Sequence, residues 1–150
     1  YTFAPYKVVW REQAPSLTAA IVEQVNGGCI IPDHKLMLVD CKSKEEAYYL
    51  CGMLNSSTAN YAVLSYAISV QFDPHILQNI CVPKFDPKNR FHVHLVELSM
   101  KAHQVAEAED REKLEDIEEK IDQISAQIWG LTDEELKEIK LSLVKLSKDA

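Results

Sequence analysis

The chain lacks the short signatures that usually mark a catalytic or metal centre. It has no C-x-x-C pair, no His-Glu-x-x-His, no P-loop, no G-x-S-x-G and no G-x-G. Its four cysteines, Cys29, Cys41, Cys51 and Cys81, are scattered, whereas a tetrahedral zinc site usually brings its ligands in close pairs. Free, mostly buried thiols in a reducing compartment are therefore expected, and no metal. No apolar run approaches the roughly 20 residues a membrane-spanning helix needs. A charged-then-apolar leader is also missing, so a cytoplasmic chain with no membrane partner is expected. The chain starts at Tyr1, directly in strand-like sequence, and is expected to be a piece of something larger.

What is present reads as a folded domain: 150 residues, 47% hydrophobic and 26% charged, enough for one core or for a core with an appendage. The net charge of −7 is unevenly spread. Residues 1–90 carry eight Lys/Arg and eight Asp/Glu; residues 91–150 carry eight and fifteen, so the whole excess lies in the last third. An acidic total argues against nonspecific nucleic-acid binding but leaves room for a neutral domain that reads DNA with a few placed residues. The charge balance predicts two parts, 1–90 and 91–150.

"KVVWRE" (7–12) and "LTAAIVEQV" (17–25) are rich in β-branched residues and read as two strands, with Asn26-Gly27-Gly28 as a turn and "KLMLVD" after Pro32 as a third strand. Ser43 and Glu46 have capping-box spacing ahead of Ala47, Leu50, Cys51 and Leu54, a helical stripe ending near Asn55. A second helix is predicted from about Thr58 to Ala67, "SVQF" as a strand or loop, and one or two helical turns over 74–79 behind the Asp73–Pro74 cap. "ICVP" (80–83) fits a short closing strand, and "KFDPKN" a linker. From Phe91 to Gly130 there is neither glycine nor proline. Phe91, Leu95, Leu98, Ala102 and Val105 form one stripe; Leu114, Ile117, Ile121, Ile124 and Ile128 form a heptad seam. Leu136, Ile139, Leu143 and Leu146 match that seam behind a second capping box at Thr132 and Glu135. The simplest partner of each stripe is the other, a hairpin turned at Trp129–Gly130, with these residues also available as an oligomer interface. The fold class is thus mixed α+β: a small sheet with packed helices, then a long helical hairpin.

The polar clusters have plain structural readings. Asp33 and His34 in "CIIPDHKLMLVD" are adjacent, so a strand would point them to opposite faces. A turn whose side chains bond backbone explains them better than a metal. His92 and His94 diverge by about 200° at the start of a helix, so a solvated helix face is expected. The acidic run 107–122 reads as a solvated helix with pairs such as Asp116–Lys120. A Cys–His nucleophile has nothing to select its pair. What remains on 1–90 is a set of polar and aromatic residues near predicted turns, Tyr6 and Trp10 among them. Lys7, Arg11, His34, Lys35, Asn60, Gln71, Lys84, Lys88 and Arg90 are of the types that hold phosphates and read base edges.

Five stretches, "FAPYKVVWRE", "IIPDHKLMLVD", "EAYYLCGMLNSS", "ILQNICVPKFDP" and "HLVELSMKAHQ", occur in an order that resembles the C-terminal target-recognition region of adenine-specific DNA methyltransferases of restriction–modification systems. They are also similar to the half-repeat of type I specificity subunits. The resemblance covers roughly residues 3 to 105. It implies a DNA-recognition domain whose loops enter a groove of double-stranded DNA and whose helices dock a methyltransferase domain or subunit. It implies no catalysis here: S-adenosylmethionine and the Asn-Pro-Pro-aromatic motif would belong to a separate methyltransferase part, since this chain has no Asn-Pro. Related chains often carry a glycine-rich loop where this one has "SYAISVQFDP", so the loop that meets the bases is not carried over. A protein-interaction or oligomerisation module built on the long helices is the competing reading.

Overall fold

The computed structural model describes residues 3–66, 72 and 74–149. Three strands, β1 (Tyr6–Arg11), β2 (Ala19–Glu23) and β3 (Leu36–Cys41), form one antiparallel sheet in the order β2-β1-β3. Trp10 lies opposite Ala19 on one side and Met37 on the other, and Arg11 faces Leu36. The alternating side chains of β1 are buried on both faces: Val8 and Trp10 meet the helices, while Lys7 and Val9 lie on the opposite face.

Helix α1 (Lys44–Leu54) connects two hydrophobic clusters. Ala47, Cys51 and Leu54 pack with Val8, Trp10 and Ala19 of the sheet and with Ala59 and Val63 of α2 (Ser57–Tyr66). Tyr49 and Met53 point the other way, into a cluster with Leu95, Val96 and Leu98 of α4 (Arg90–Glu107) and with Ile117 and Ile121 of α5 (Arg111–Ile128). The approach of α1 to α4 depends on Gly52, where a Cβ would sit 3.0 Å from Leu95 Cδ1. A short α3 (Pro74–Asn79) and the terminal α6 (Asp133–Asp149) complete the described fold.

The mixed α+β class and the three strands agree with the sequence. Both caps form: Glu46 N–H donates to Ser43 Oγ at 3.1 Å while the Glu46 carboxylate accepts from Lys42 N–H at 2.6 Å, and Thr132 and Glu135 exchange bonds of 2.8 and 3.2 Å in a full capping box. The turn at Trp129–Gly130 also forms, with Gly130 at φ +75°. Three expectations change. "ICVP" is no strand; Cys81 is left-handed at φ +49°, and the carbonyls of Cys81 and Pro83 accept from the Trp129 indole and the Tyr49 hydroxyl. The seam of α5 packs chiefly on α4 rather than on α6, and α6 lies mainly against α2. The α4–α5 turn that permits this contains no glycine: Glu109 takes φ +56° and Asp110 caps α5 through the Lys113 N–H at 3.2 Å. His92 is buried rather than solvated, while His94, two positions on, is exposed. The readings at Ala67, "SVQ" and Asp73 lie outside the described residues.

Candidate nucleic-acid interface

The end of the sheet where β1 finishes brings three of the candidate residues together. Glu12 N–H donates to Lys35 O at 3.2 Å, which holds the segment before β3 beside the end of β1. Asp33 organises the turn: its Oδ1 accepts from the His34 N–H at 2.7 Å and lies 2.7 Å from His34 Nδ1, while Leu36 N–H donates to Asp33 O at 2.9 Å. Arg11, His34 and Lys35 are all exposed there. A second exposed group, Lys84, Lys88 and Arg90, lies on the linker into α4. Asp86 Oδ1 accepts from Lys88 N–H at 2.9 Å, Asn89 caps α4 through Phe91 N–H at 2.9 Å, and the Arg90 guanidinium stacks on the Phe91 ring.

His92 is what fixes this linker. Its Nδ1 accepts from Asp86 N–H at 3.0 Å, and its ring packs on Tyr49 and Phe85. Burial pulls its imidazole below the ordinary value of 6.5, against the opposing influence of the Asp86 carboxylate. The folded form therefore refuses a proton that the unfolded chain accepts. Stability is expected to be full above pH 6.5 and to fall as the pH drops through and below it. Urea midpoints measured from about pH 7 to 5 check this, with His92→Gln, which keeps an acceptor, showing a shallower loss.

Two candidates, Lys7 and Asn60, are engaged inside the fold instead of facing DNA. Lys7 is only 2% exposed and its Nζ donates to Ala4 O at 2.7 Å and Cys29 Sγ at 3.2 Å, so it cannot hold a phosphate in this conformation. The Asn60 amide forms a two-way clamp on the main chain of Leu17, accepting from its N–H at 2.8 Å and donating to its O at 3.0 Å. Asn55 does the same to Ala19, at 2.8 and 2.9 Å. An amide spent this way has no face left for a base edge. Gln71 lies outside the described residues. Of the helical seam, Ile117, Ile121 and Leu136 are buried within the chain and Leu114, Ile124, Ile128, Ile139 and Leu143 are half-buried, so these positions work first as intramolecular packing.

Comparison with protein-family models, with curated proteins and with solved structures returns no match. The chemistry of the chain therefore has to be read from its own residues.

Sequence reasoning did not find Asp122. This α5 carboxylate is buried and accepts from both the N–H and the hydroxyl of Ser57, at 2.6 and 2.7 Å, at the start of α2. It also lies 3.2 Å from the Lys140 ammonium of α6, which pairs with Glu119 as well. No local pattern reveals a cap supplied from 65 residues away. A largely apolar groove of about 1140 Å³ was equally hidden. The β1–β2 loop and helices α1, α2, α4, α5 and α6 all contribute to its walls, which include His103, Leu114, Glu118 and Val144. Burial holds the Glu118 carboxyl above its ordinary value, with Asp122 and Glu115 adding to the shift. At its edge His103 Nε2 lies 3.9 Å from Cys51 Sγ. Burial pushes the Cys51 thiol up to about 12, and the sulfur is 3.4 Å from Ala19 O, a bond the S–H can make, so this environment favours the protonated thiol. Among the described residues no group of three His, Cys, Asp or Glu side chains could hold a metal, and no helix is long and apolar enough to cross a membrane.

Proposed function

We propose that the chain is a DNA target-recognition unit of an adenine-specific DNA methyltransferase from a cytoplasmic restriction–modification system. The observation that carries the reading is the exposed Arg11–His34–Lys35 group on one end of the sheet. It is held there by main-chain bonds rather than by a free loop. The spread of charge agrees with it, since the acidic excess is confined to residues 91–150. The order of the five stretches that resemble such regions supplies the identity of the partner enzyme.

In this reading Arg11, Lys35, Lys84, Lys88 and Arg90 hold phosphates, and Gln71 reads a base. The unit carries no catalytic step; S-adenosylmethionine and methyl transfer belong to the methyltransferase part, which the helices dock. Fluorescence anisotropy of the unit joined to its methyltransferase half, with a pool of duplexes at low and moderate salt, tests it. Binding is expected to weaken with salt. Lys84→Ala with Lys88→Ala should flatten the slope of log K against log salt by about 0.9 per lost contact, without changing the preferred sequence. Binding that is absent, or indifferent to salt, overturns the reading.

An interaction module remains the second reading, because Leu141 and Val144 of α6 are 49% and 53% exposed. If sedimentation shows self-association that Leu141→Glu with Val144→Glu abolishes, α6 joins copies of the chain.

A further inference from the structure

Lys7 is a buried ammonium that makes no ion pair among the described residues, although Asp40 stands opposite it on β3. A buried ammonium normally faces a carboxylate, because an uncompensated charge out of water is costly. Its bonds among the described residues go instead to a carbonyl, Ala4 O, and to a sulfur, Cys29 Sγ, the latter at 3.2 Å. The contact is built by the fold on both sides. Lys7 stands on the central strand, paired with Val22 and Asp40. Cys29 follows a tight turn in which Val25 and Gly28 exchange main-chain bonds of 3.3 and 2.8 Å and Asn26 and Gly27 take φ +50° and +75°. That turn returns the chain over the outer face of β1 and sets the sulfur against the amine. Cys81 is exposed and Cys29 keeps partial exposure, whereas Cys41 and Cys51 are buried with thiols pushed up to about 12. A small oxidant therefore reaches the sulfur at Cys29 without first opening the sheet.

We propose that Lys7 and Cys29 are an oxidation-triggered covalent staple that joins the central strand to the β2–β3 connection. A peroxide oxidises the Cys29 thiol to a sulfenic acid and is itself reduced to water (an alkyl peroxide to its alcohol). The sulfenic sulfur is then an electrophile within reach of Lys7 Nζ. The amine, having released its proton, attacks the sulfur; the S–N bond forms, the S–O bond breaks, and hydroxide leaves with a proton as water. With hydrogen peroxide the balance is one thiol, one amine and one peroxide giving one sulfenamide and two waters, so the chain loses two hydrogens. A thiol reductant reverses the step by attacking the S–N sulfur, returning the amine and leaving a mixed disulfide that a second thiol resolves. The staple lies a few residues before His34 and Lys35, but its formation does not depend on the DNA reading.

Mass spectrometry of the whole chain after mild hydrogen peroxide tests it. The expected product is lighter by two hydrogens, with the peptides carrying Lys7 and Cys29 linked after digestion, and dithiothreitol restores the starting mass. Lys7→Arg keeps the charge but removes the amine, so its Cys29 sulfenic acid should instead be trapped by dimedone. Cys29→Ser should show no loss of mass. The proposal is overturned if the unsubstituted chain carries Cys29 to dimedone-trapped, sulfinic or sulfonic forms while Lys7 stays unmodified, or if Lys7→Arg still loses two hydrogens.

Discussion

Replacing Trp10 by alanine is expected to destabilise the fold by about 3–5 kcal/mol, the range for emptying a large buried aromatic site. Trp10 is 1% exposed, on the central strand, and packs in the cluster that joins sheet, α1 and α2. It also has a directional bond: its indole Nε1–H donates to Phe72 O at 2.8 Å, while Phe72 N–H donates to Glu12 O at 2.7 Å. The alanine variant thus leaves both a cavity and a buried carbonyl without its donor. Trp10→Phe separates the two effects, keeping most of the volume and losing the bond, for about 1–3 kcal/mol. Urea unfolding followed by far-ultraviolet dichroism measures both. A loss for Trp10→Ala no larger than that for Trp10→Phe would show that packing around the indole matters less than its buried position implies.

Asp122→Ala should rank beside it, at about 3–5 kcal/mol, the range for removing one partner of a buried charged contact. Two groups lose their acceptor, the first N–H of α2 and the Ser57 hydroxyl, and the Lys140 ammonium loses one of its two carboxylates. Burial alone pulls Lys140 down, yet Glu119 and Asp122 outweigh it and hold the ammonium above its ordinary value. Removing Asp122 leaves Glu119 to hold that cation alone. The helix start suffers twice, since Asp122 also places negative charge at the positive end of the α2 dipole. Asp122→Asn retains an acceptor for one Ser57 bond and should lose about half as much. Double-mutant cycles with Lys140→Met and Ser57→Ala apportion the loss. A coupling near zero in both cycles would remove Asp122 from this role.

These two residues also mark where the sequence was readable. Strands β1 to β3 were legible because two runs rich in β-branched residues and the apolar run 36–39 are bounded by Pro15, by Asn26-Gly27-Gly28 and by Pro32, local signals that need no partner. The starts of α1 and α6 were legible because their caps close within four residues. Trp10 was read with the polar and aromatic residues near predicted turns, and only the packing of α1 and α2 on its face of the sheet buries it. Lys7 misled because its cover, the Ala4 carbonyl and the Cys29 sulfur, comes from elsewhere in the fold. The partner of the α5 seam was not legible because the α4–α5 turn is written in Ala108, Glu109 and Asp110, with no glycine to signal it. Of the candidate interface, Arg11, His34, Lys35, Lys84, Lys88 and Arg90 are exposed as their types suggest. Asn60 has the same chemistry but is spent on Leu17, and amino-acid type cannot distinguish these outcomes.

The clamps of Asn55 and Asn60 bear on how this protein meets other chains. An outer strand ordinarily offers its spare amides as a template, on which a foreign strand can start a swap or a fibril. Natural sheets often blunt that template with lysine, proline or a bulge. Here two carboxamides imitate the missing neighbour, saturating the outward N–H and C=O of Leu17 and Ala19 as a fourth strand would. The start of β2 is thereby closed to β-augmentation, and it is closed by side chains from the end of α1 and from α2, so the seal holds only while those helices are folded against the sheet.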